Sequence, residues 1–297
     1  MKPVRFAWVD PRSVEDALAL LAEHGEDAKL LAGGQSLVPL LNMRLARPAV
    51  LVDLNRVAGL DGIRVEDGVL CVGAMTRQRT VERDPAAKTR CPLLVEALQF
   101  VGHPPIRHRG TVGGSLAHAD PAAELPAVLT CLGGEVVARS RAGERVIPAA
   151  EFFRDLLTTA LRPDEILTEV RFRLPSPAAG WACLEVARRH GDFALVGVAA
   201  LVEPGPDRTV RDAGLSLFGV GATPVRSSVA ERALAGQEPT AERLRRAADL
   251  VTETLRPDSD IHASAEYRRQ VAGVLTRRAL ALAVARWGSG AGIGSSG

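Results

Sequence analysis

The sequence predicts an α+β protein, and three observations carry that prediction. Apolar runs of strand length alternate with segments of helical spacing through the first half of the chain. Two glycine pairs, Gly33-Gly34 and Gly113-Gly114, interrupt the pattern ahead of helix starts. Beyond a break at Pro175-Ser176-Pro177-Ala178-Ala179-Gly180, three strand-like runs come first and the helices follow as a block.

Ser13-Val14-Glu15-Asp16 has capping-box chemistry, and Val14, Ala17, Leu18 and Leu21 follow at helical spacing. Residues 28–31 read as a buried strand stopping at Gly33-Gly34, 36–45 as a helix, and 50–54 as the next strand. These form a compact unit over 1–56. From 57 to 176 the signals mix. Residues 69–72 are an apolar run, 80–83 begin a polar stretch ended by Pro85, and 93–100 are helix-like. The loop Gly102-His103-Pro104-Pro105 cannot continue that helix, because proline lacks the donor. A glycine turn at 111–115 follows, and Asp120-Pro121 reads as the N-cap and first turn of a helix reaching Leu132. Strands are expected at 135–139, 145–147 and 166–174. In a last unit, 177–288, they are expected at 183–187, 194–202 and 214–220. Helices follow near 229–235, 240–255 and 264–287, the last with Val271, Val274, Leu275, Leu282 and Val284 inward and Arg268, Arg269, Arg277 and Arg278 outside. The tail 289–297 is glycine- and serine-rich, the composition of a flexible segment.

The 297 residues suffice for more than one domain, and 46% hydrophobic with 24% charged residues is globular usage. Thirty-seven basic and 35 acidic residues leave a net charge of +2, so no cationic field favours nucleic acid. Cys71, Cys91, Cys131 and Cys183 form no C-x-x-C pair, and buried reduced thiols are expected. With no signal-like opening and no membrane-length apolar run, the expected location is the cytoplasm, or wherever a partner carries the chain.

The glycine pairs are the chemically informative feature. Chain without Cβ atoms brings successive backbone N–H groups against a phosphate, and Gln35 and Ser36 add side-chain donors. Two such turns suit a pyrophosphate linking two nucleotide halves, although each by itself also reads as a tight turn. There is no G-x-G-x-x-G and no G-K-[ST], so neither a Rossmann site nor a P-loop fits. His103, His108 and His118 match no common metal spacing, and structural or phosphate-contacting roles are expected for them. Arg188 and Arg189 with Asp192 read as an internal ion pair or as part of a binding surface.

The segments KLLAGGQSL (29–37) and IRHRGTVGGSLAHADPAAELPA (106–127) resemble the two flavin motifs of the FAD-binding medium subunits of molybdenum hydroxylases, the family of carbon monoxide dehydrogenase medium subunits and of the central domain of xanthine dehydrogenase. DEILTEVRF (164–172), RRHGDFALVGVAA (188–200) and SAEYRRQVAGVLTRRAL (264–280) extend the resemblance, in order, over nearly the whole chain. It implies a p-cresol methylhydroxylase-type FAD domain in two subdomains, then a C-terminal domain with a three-stranded antiparallel sheet and a helical bundle. It also implies FAD contacts from Lys29, Leu30, Leu31, Ala32, Gly33, Gly34, Gln35, Ser36 and Leu37, and from Thr111, Val112, Gly113, Gly114 and Ser115. Val101, Asp120, Glu124, Leu167 and Phe193 fall at further cofactor-contact positions. Leu184 stands where some relatives carry lysine, and Phe193 where others carry tyrosine.

The resemblance further implies an electron relay in a dimer of heterotrimers. The partners are a large subunit holding the molybdenum cofactor and a small subunit with two [2Fe–2S] clusters. No catalytic acid–base pair and no metal ligand is expected in this chain. The rival readings are a stand-alone flavoprotein of the same fold and a flavin-free bridging subunit.

Overall fold

The computed structural model describes residues 1–287, and the tail expected at 289–297 lies outside the described residues. The first unit runs β1 (Ala7–Val9), α1 (Val14–His24), β2 (Ala28–Leu31), α2 (Leu37–Asn42) and β3 (Val50–Asp53). The Ser13 hydroxyl accepts from the Asp16 N–H, and Val14, Ala17, Leu18 and Leu21 form the buried stripe, as the sequence predicts. The three strands make a parallel sheet in the order β1-β3-β2, so α1 and α2 serve as crossovers. α2 ends at Asn42, short of the expected Leu45. The chain turns there through Arg44 at φ 59°, leaving Leu45 exposed.

The second unit contains β4 (Ile63–Glu66), β5 (Val69–Gly73), α3 (Gln78–Arg83), α4 (Pro85–Arg90), α5 (Pro92–Leu98), α6 (Pro104–Arg109), α7 (Val112–His118) and α8 (Glu124–Leu132). Then come β6 (Glu135–Ser140), β7 (Gly143–Pro148), α9 (Ala149–Phe152), the hairpin β8 (Phe153–Asp155) and β9 (Thr158–Thr159), and β10 (Ile166–Arg173). An antiparallel sheet in the order β4-β5-β10-β6-β7 organises it.

Three expectations need correction here. The polar stretch at 80–83 is helical, and Pro85 starts α4 instead of ending structure. The Gly102–Pro105 loop is likewise half helix, because Pro104 occupies the first turn of α6, where the missing donor costs nothing. The helix reaching Leu132 begins at Glu124, since Asp120 spends its carboxylate on the Ala122 N–H (2.9 Å) in a separate turn.

The third unit holds β11 (Gly180–Ala187), β12 (Ala194–Pro204), β13 (Val210–Phe218) and the short β14 (Val225–Arg226) in one antiparallel sheet. α10 (Ser228–Leu234), α11 (Ala241–Thr254) and α12 (Ala265–Ala285) pack against it. α8 is buried along its whole length, contacting β12 and β13 on one side and α5 on another. All four cysteines are buried and unpaired, as expected. Among the described residues no helix is long and apolar enough to cross a membrane.

α12 departs from its expected face. Val274 is 41% exposed, and Arg268, expected outside, is only 7% exposed. The buried stripe runs through Ala272, Leu275, Thr276, Ala279, Leu280 and Ala283, which leaves Val274 on the far side. The Arg268 guanidinium donates to the carbonyls of Leu195 (2.5 Å) and Gly219 (2.6 Å) and to Asp260 (2.6 Å), tying two strand ends to a loop. Truncating it leaves two partly buried carbonyls without their partner, and such orphaned groups are costly. We expect Arg268→Ala to lower stability by about 2–4 kcal/mol in a denaturant titration; a change within about 0.5 kcal/mol would contradict this assignment.

Candidate functional site

The two glycine segments, far apart in sequence, meet in the structure. After β2 the chain passes through Ala32 and Gly33, and Gly34 adopts φ +75°, a conformation that favours glycine. Among the described residues the N–H groups of Gly34, Gln35, Ser36 and Leu37 find no protein acceptor. Gln35 folds back to donate to the Gly33 carbonyl at 3.1 Å, and Ser36 makes no capping bond. A row of unspent donors is an anion-binding concavity. α2 is six residues long, so the donors themselves, more than a helix dipole, carry this capacity.

The second segment is built differently from the expected turn. Thr111 is the N-cap of α7, its hydroxyl accepting from the Gly114 N–H at 3.0 Å, and residues 112–115 form the first helical turn. Val112 donates to the Thr76 carbonyl (3.0 Å), Gly113 to that of Ala74 (2.8 Å) and Ser115 to that of Thr111 (3.2 Å). These amides are committed within the protein. What the segment offers a ligand is the Ser115 hydroxyl and a surface without side-chain bulk.

The absence of that bulk is what allows the two segments to touch. A Cβ on Gly33 would overlap the Arg109 carbonyl and lie 2.8 Å from the Gly110 Cα. One on Gly114 would lie 3.3 Å from the Ala32 Cβ. Neither 29–37 nor 111–115 contains a carboxylate, so nothing in either segment repels a phosphate.

The remaining expected contacts border this junction or stand apart from it. Leu30 and Leu31 are half-buried, and Lys29 is exposed on β2. Lys29 lies near His118 on α7. Burial lowers the affinity of His118 for a proton, Asp120 opposes this and Lys29 adds to it. Val101 is held by Arg107, whose guanidinium donates to the carbonyls of Val101 (2.9 Å) and Gly102 (3.1 Å) and to Glu82 (2.9 Å). Phe193 is 66% exposed beside the β11–β12 turn, where Gly191 packs on the His103 ring next to the 101–102 loop. Arg188, Arg189 and Asp192 are exposed in that turn, and none of them forms an ion pair among the described residues. Leu167 is buried in the core of the second sheet, at the point where β10 shifts register against β6.

Glu124 is 7% exposed at the start of α8 and has no ion-pair partner among the described residues. Burial, then the nearby Glu185 and Asp120 carboxylates, push it up to about 8, against the weaker pull of Arg107. Burial alone lifts Glu185 to about 7, and its Oε2 is buried without a partner. The wall beside Asp120 therefore carries Glu124 as a protonated acid at neutral pH.

Three residues of the junction escaped the sequence reading. Arg107 lies inside the second quoted motif, where the arginines ahead of the glycines, Arg107 and Arg109, were a usable signal. Arg77 and Asn55 lie in segments of ordinary composition. Arg77 donates to the Arg109 carbonyl and to Asn55 Oδ1 (2.6 Å), and Asn55 Nδ2 donates to the Ala32 carbonyl (3.0 Å).

Residues 4–177 match the family described as "FAD binding domain in molybdopterin dehydrogenase", and residues 181–283 match "CO dehydrogenase flavoprotein C-terminal domain". The caffeine dehydrogenase subunit beta of Pseudomonas sp. (strain CBB1) is 43% identical, over 96% of this chain and 97% of that protein. The 6-hydroxypseudooxynicotine dehydrogenase complex subunit alpha of Paenarthrobacter nicotinovorans is also 43% identical, with the same coverage. Among solved structures, a chain of carbon monoxide dehydrogenase from Hydrogenophaga pseudoflava superposes with a TM-score of 0.94 at 38% identity, covering 97% of this chain and all of that one.

The raised proton affinity of Glu124 has a consequence for stability. An unfolded glutamate releases its proton near 4.5, whereas the folded chain holds it to about 8. Between those values the folded state binds more protons, so rising pH disfavours the fold by at most about 1.4 kcal/mol per pH unit. We expect flavin-free Glu124→Gln to melt higher than the unsubstituted chain at pH 8 and alike at pH 4.5. An equal difference at both values would show that Glu124 is ionised in the fold.

Proposed function

The chain belongs to the FAD-binding medium subunits of molybdenum hydroxylases, and from that membership we propose that it is the electron relay of a heterotrimer. Its partners are a large subunit carrying the molybdenum cofactor and a small subunit carrying [2Fe–2S] clusters. FAD is its cofactor. When bound, FAD exchanges electrons singly or in pairs, which couples one-electron donors to an external acceptor.

The observation that carries this reading is the junction of the two glycine segments. Gly34, Gln35, Ser36 and Leu37 present four free N–H donors suited to the pyrophosphate, and Ser115 adds a hydroxyl from the other side. Leu30, Leu31 and Ala32 line the approach from β2, and Lys29 supplies a cation at its edge. Thr111, Val112, Gly113 and Gly114 form the opposing wall. Val101 and Phe193 flank the flavin end, Asp120 and neutral Glu124 bound it, and Leu167 supports it from the core. Phe193 offers a ring face without a hydroxyl, which covers the flavin and donates no proton to it. The division into FAD-binding subdomains 1–56 and 57–176 and a C-terminal domain 177–288 is supported by the three larger sheets, which fall one in each.

The medium subunit does not select the substrate. Two relatives at the same 43% identity are named for caffeine and for 6-hydroxypseudooxynicotine. Substrate choice is assigned to the large subunit, and a quinone, cytochrome or dye-like acceptor is favoured over NAD.

The purified chain is expected to show a flavin band near ~450 nm, to release FAD on denaturation, and to be reduced by substrate only with its partners present. Reduction by NAD(P)H without partners would favour a stand-alone flavoenzyme. A chain that stays colourless after FAD titration, partners present, would leave only a bridging role. Gly33→Ala, which forces its new methyl onto the Arg109 carbonyl, should weaken FAD at least tenfold, about 1.4 kcal/mol. Unchanged affinity would separate the junction from the cofactor.

A further inference from the structure

We infer that Arg77 and Asn55 form one positioning bracket that sets the spacing and orientation of the two glycine segments, and through them the affinity for FAD. The inference rests on reading the junction as the FAD site. Arg77 lies just ahead of α3 and makes an isolated antiparallel bridge with Thr111. One guanidinium nitrogen donates to the Arg109 carbonyl, and another to Asn55 Oδ1 at 2.6 Å. Asn55 in turn donates from Nδ2 to the Ala32 carbonyl at 3.0 Å, and its own N–H is fixed on Asp53 Oδ1 at 2.9 Å. The path Ala32–Asn55–Arg77–Arg109 thus joins the chain ahead of one glycine pair to the chain ahead of the other. The Arg109 carbonyl it grips is the one that Gly33 faces.

The bracket also orients donors. In a trans peptide the carbonyl and the following N–H point in opposite directions. Drawing the Ala32 carbonyl toward Asn55 turns the Gly33 N–H the other way, and Gln35 does the same for Gly34 by holding the Gly33 carbonyl. Backbone that would otherwise be free to rotate is left with its donors facing outward.

Electrostatics argue that this arrangement is not incidental. Arg77 is partly buried near the like-charged Arg109, both unfavourable for a guanidinium, with the charges of Asp53 and Asp61 partly compensating. Neither Arg77 nor Asn55 belongs to a glycine segment, so both act through the backbone they hold.

The test uses the whole chain stripped of flavin and titrated with FAD, as wild type, Asn55→Ala, Arg77→Ala, Arg77→Lys and the double alanine variant, with the melting temperature of each flavin-free protein. Each alanine variant should bind FAD at least tenfold more weakly while its flavin-free melting temperature stays within a few degrees of wild type. The double variant should bind no more weakly than the weaker single one, because the residues are links in series. Lysine, which reaches one acceptor of the two, should fall between. Wild-type affinity in both alanine variants would overturn the bracket, as would losses that add fully in the double variant or that track melting temperature. Failure of the wild type to bind FAD would instead overturn the reading of the junction itself. If Arg77→Ala does not fold, Asn55→Ala, at an exposed position, carries the comparison alone.

Discussion

The Gly33 backbone rests against the Arg109 carbonyl with no room for a side chain, and the site depends on that approach. It brings the first unit against the second beside two further ties, the packing of Ile166 into the first unit's core and the ion pair of Arg139 with Glu15 (2.6 Å). β2 delivers Ala32 and Gly33 to the junction, and the paired backbone of 74–78 and 110–113 delivers the other wall. Two loops carrying side chains at these positions would stand further apart, and a pyrophosphate would reach one of them only. The division of labour at the junction is unequal. The first segment keeps its amides free, while the second commits its own to Thr76, Ala74 and Thr111 and so becomes the rigid partner. Rigid backbone on one side and unspent donors on the other is the preorganisation that anion binding rewards.

The electrostatics around the junction agree with that use. Arg107 is held by Glu82 and two carbonyls, while Lys29 stands exposed at the edge of the junction. The acidic group closest to being a liability, Glu124, is kept protonated by burial and by Glu185. An anionic cofactor thus meets no added charge from Glu124. The β11–β12 turn links the C-terminal unit to the same region through Gly191 on His103, so the third unit contributes to the site's rim as well as to the core around α8.

Much of this was legible in the sequence, for identifiable reasons. Period-2 and period-3.6 patterns in segments such as 28–31, 166–173 and α1 are written by burial on one face, which a sequence displays directly. The glycine pairs were legible because close approach permits no other residue. Helix boundaries were not. Pro104 and Pro85 read as terminators when they are initiators, since proline suits the first turn as well as it breaks the interior. Arg268 was misplaced because periodicity assigns a face by position, while its buried guanidinium is paid back by carbonyls of Leu195 and Gly219 distant in sequence. Asn55 and Arg77 were invisible for the same reason: their partners come from other segments, and only the fold brings them together.

The most direct test of the account is amide hydrogen exchange of the flavin-free chain with and without FAD, read at single residues across both segments. Donors that are free in the protein and used by the cofactor must exchange fast at first and slow on binding. Amides already bonded internally should be slow throughout. The account predicts strong new protection at Gly34, Gln35, Ser36 and Leu37 and little change at Val112, Gly113 and Ser115. Protection appearing in the second segment alone, or in neither, would contradict it.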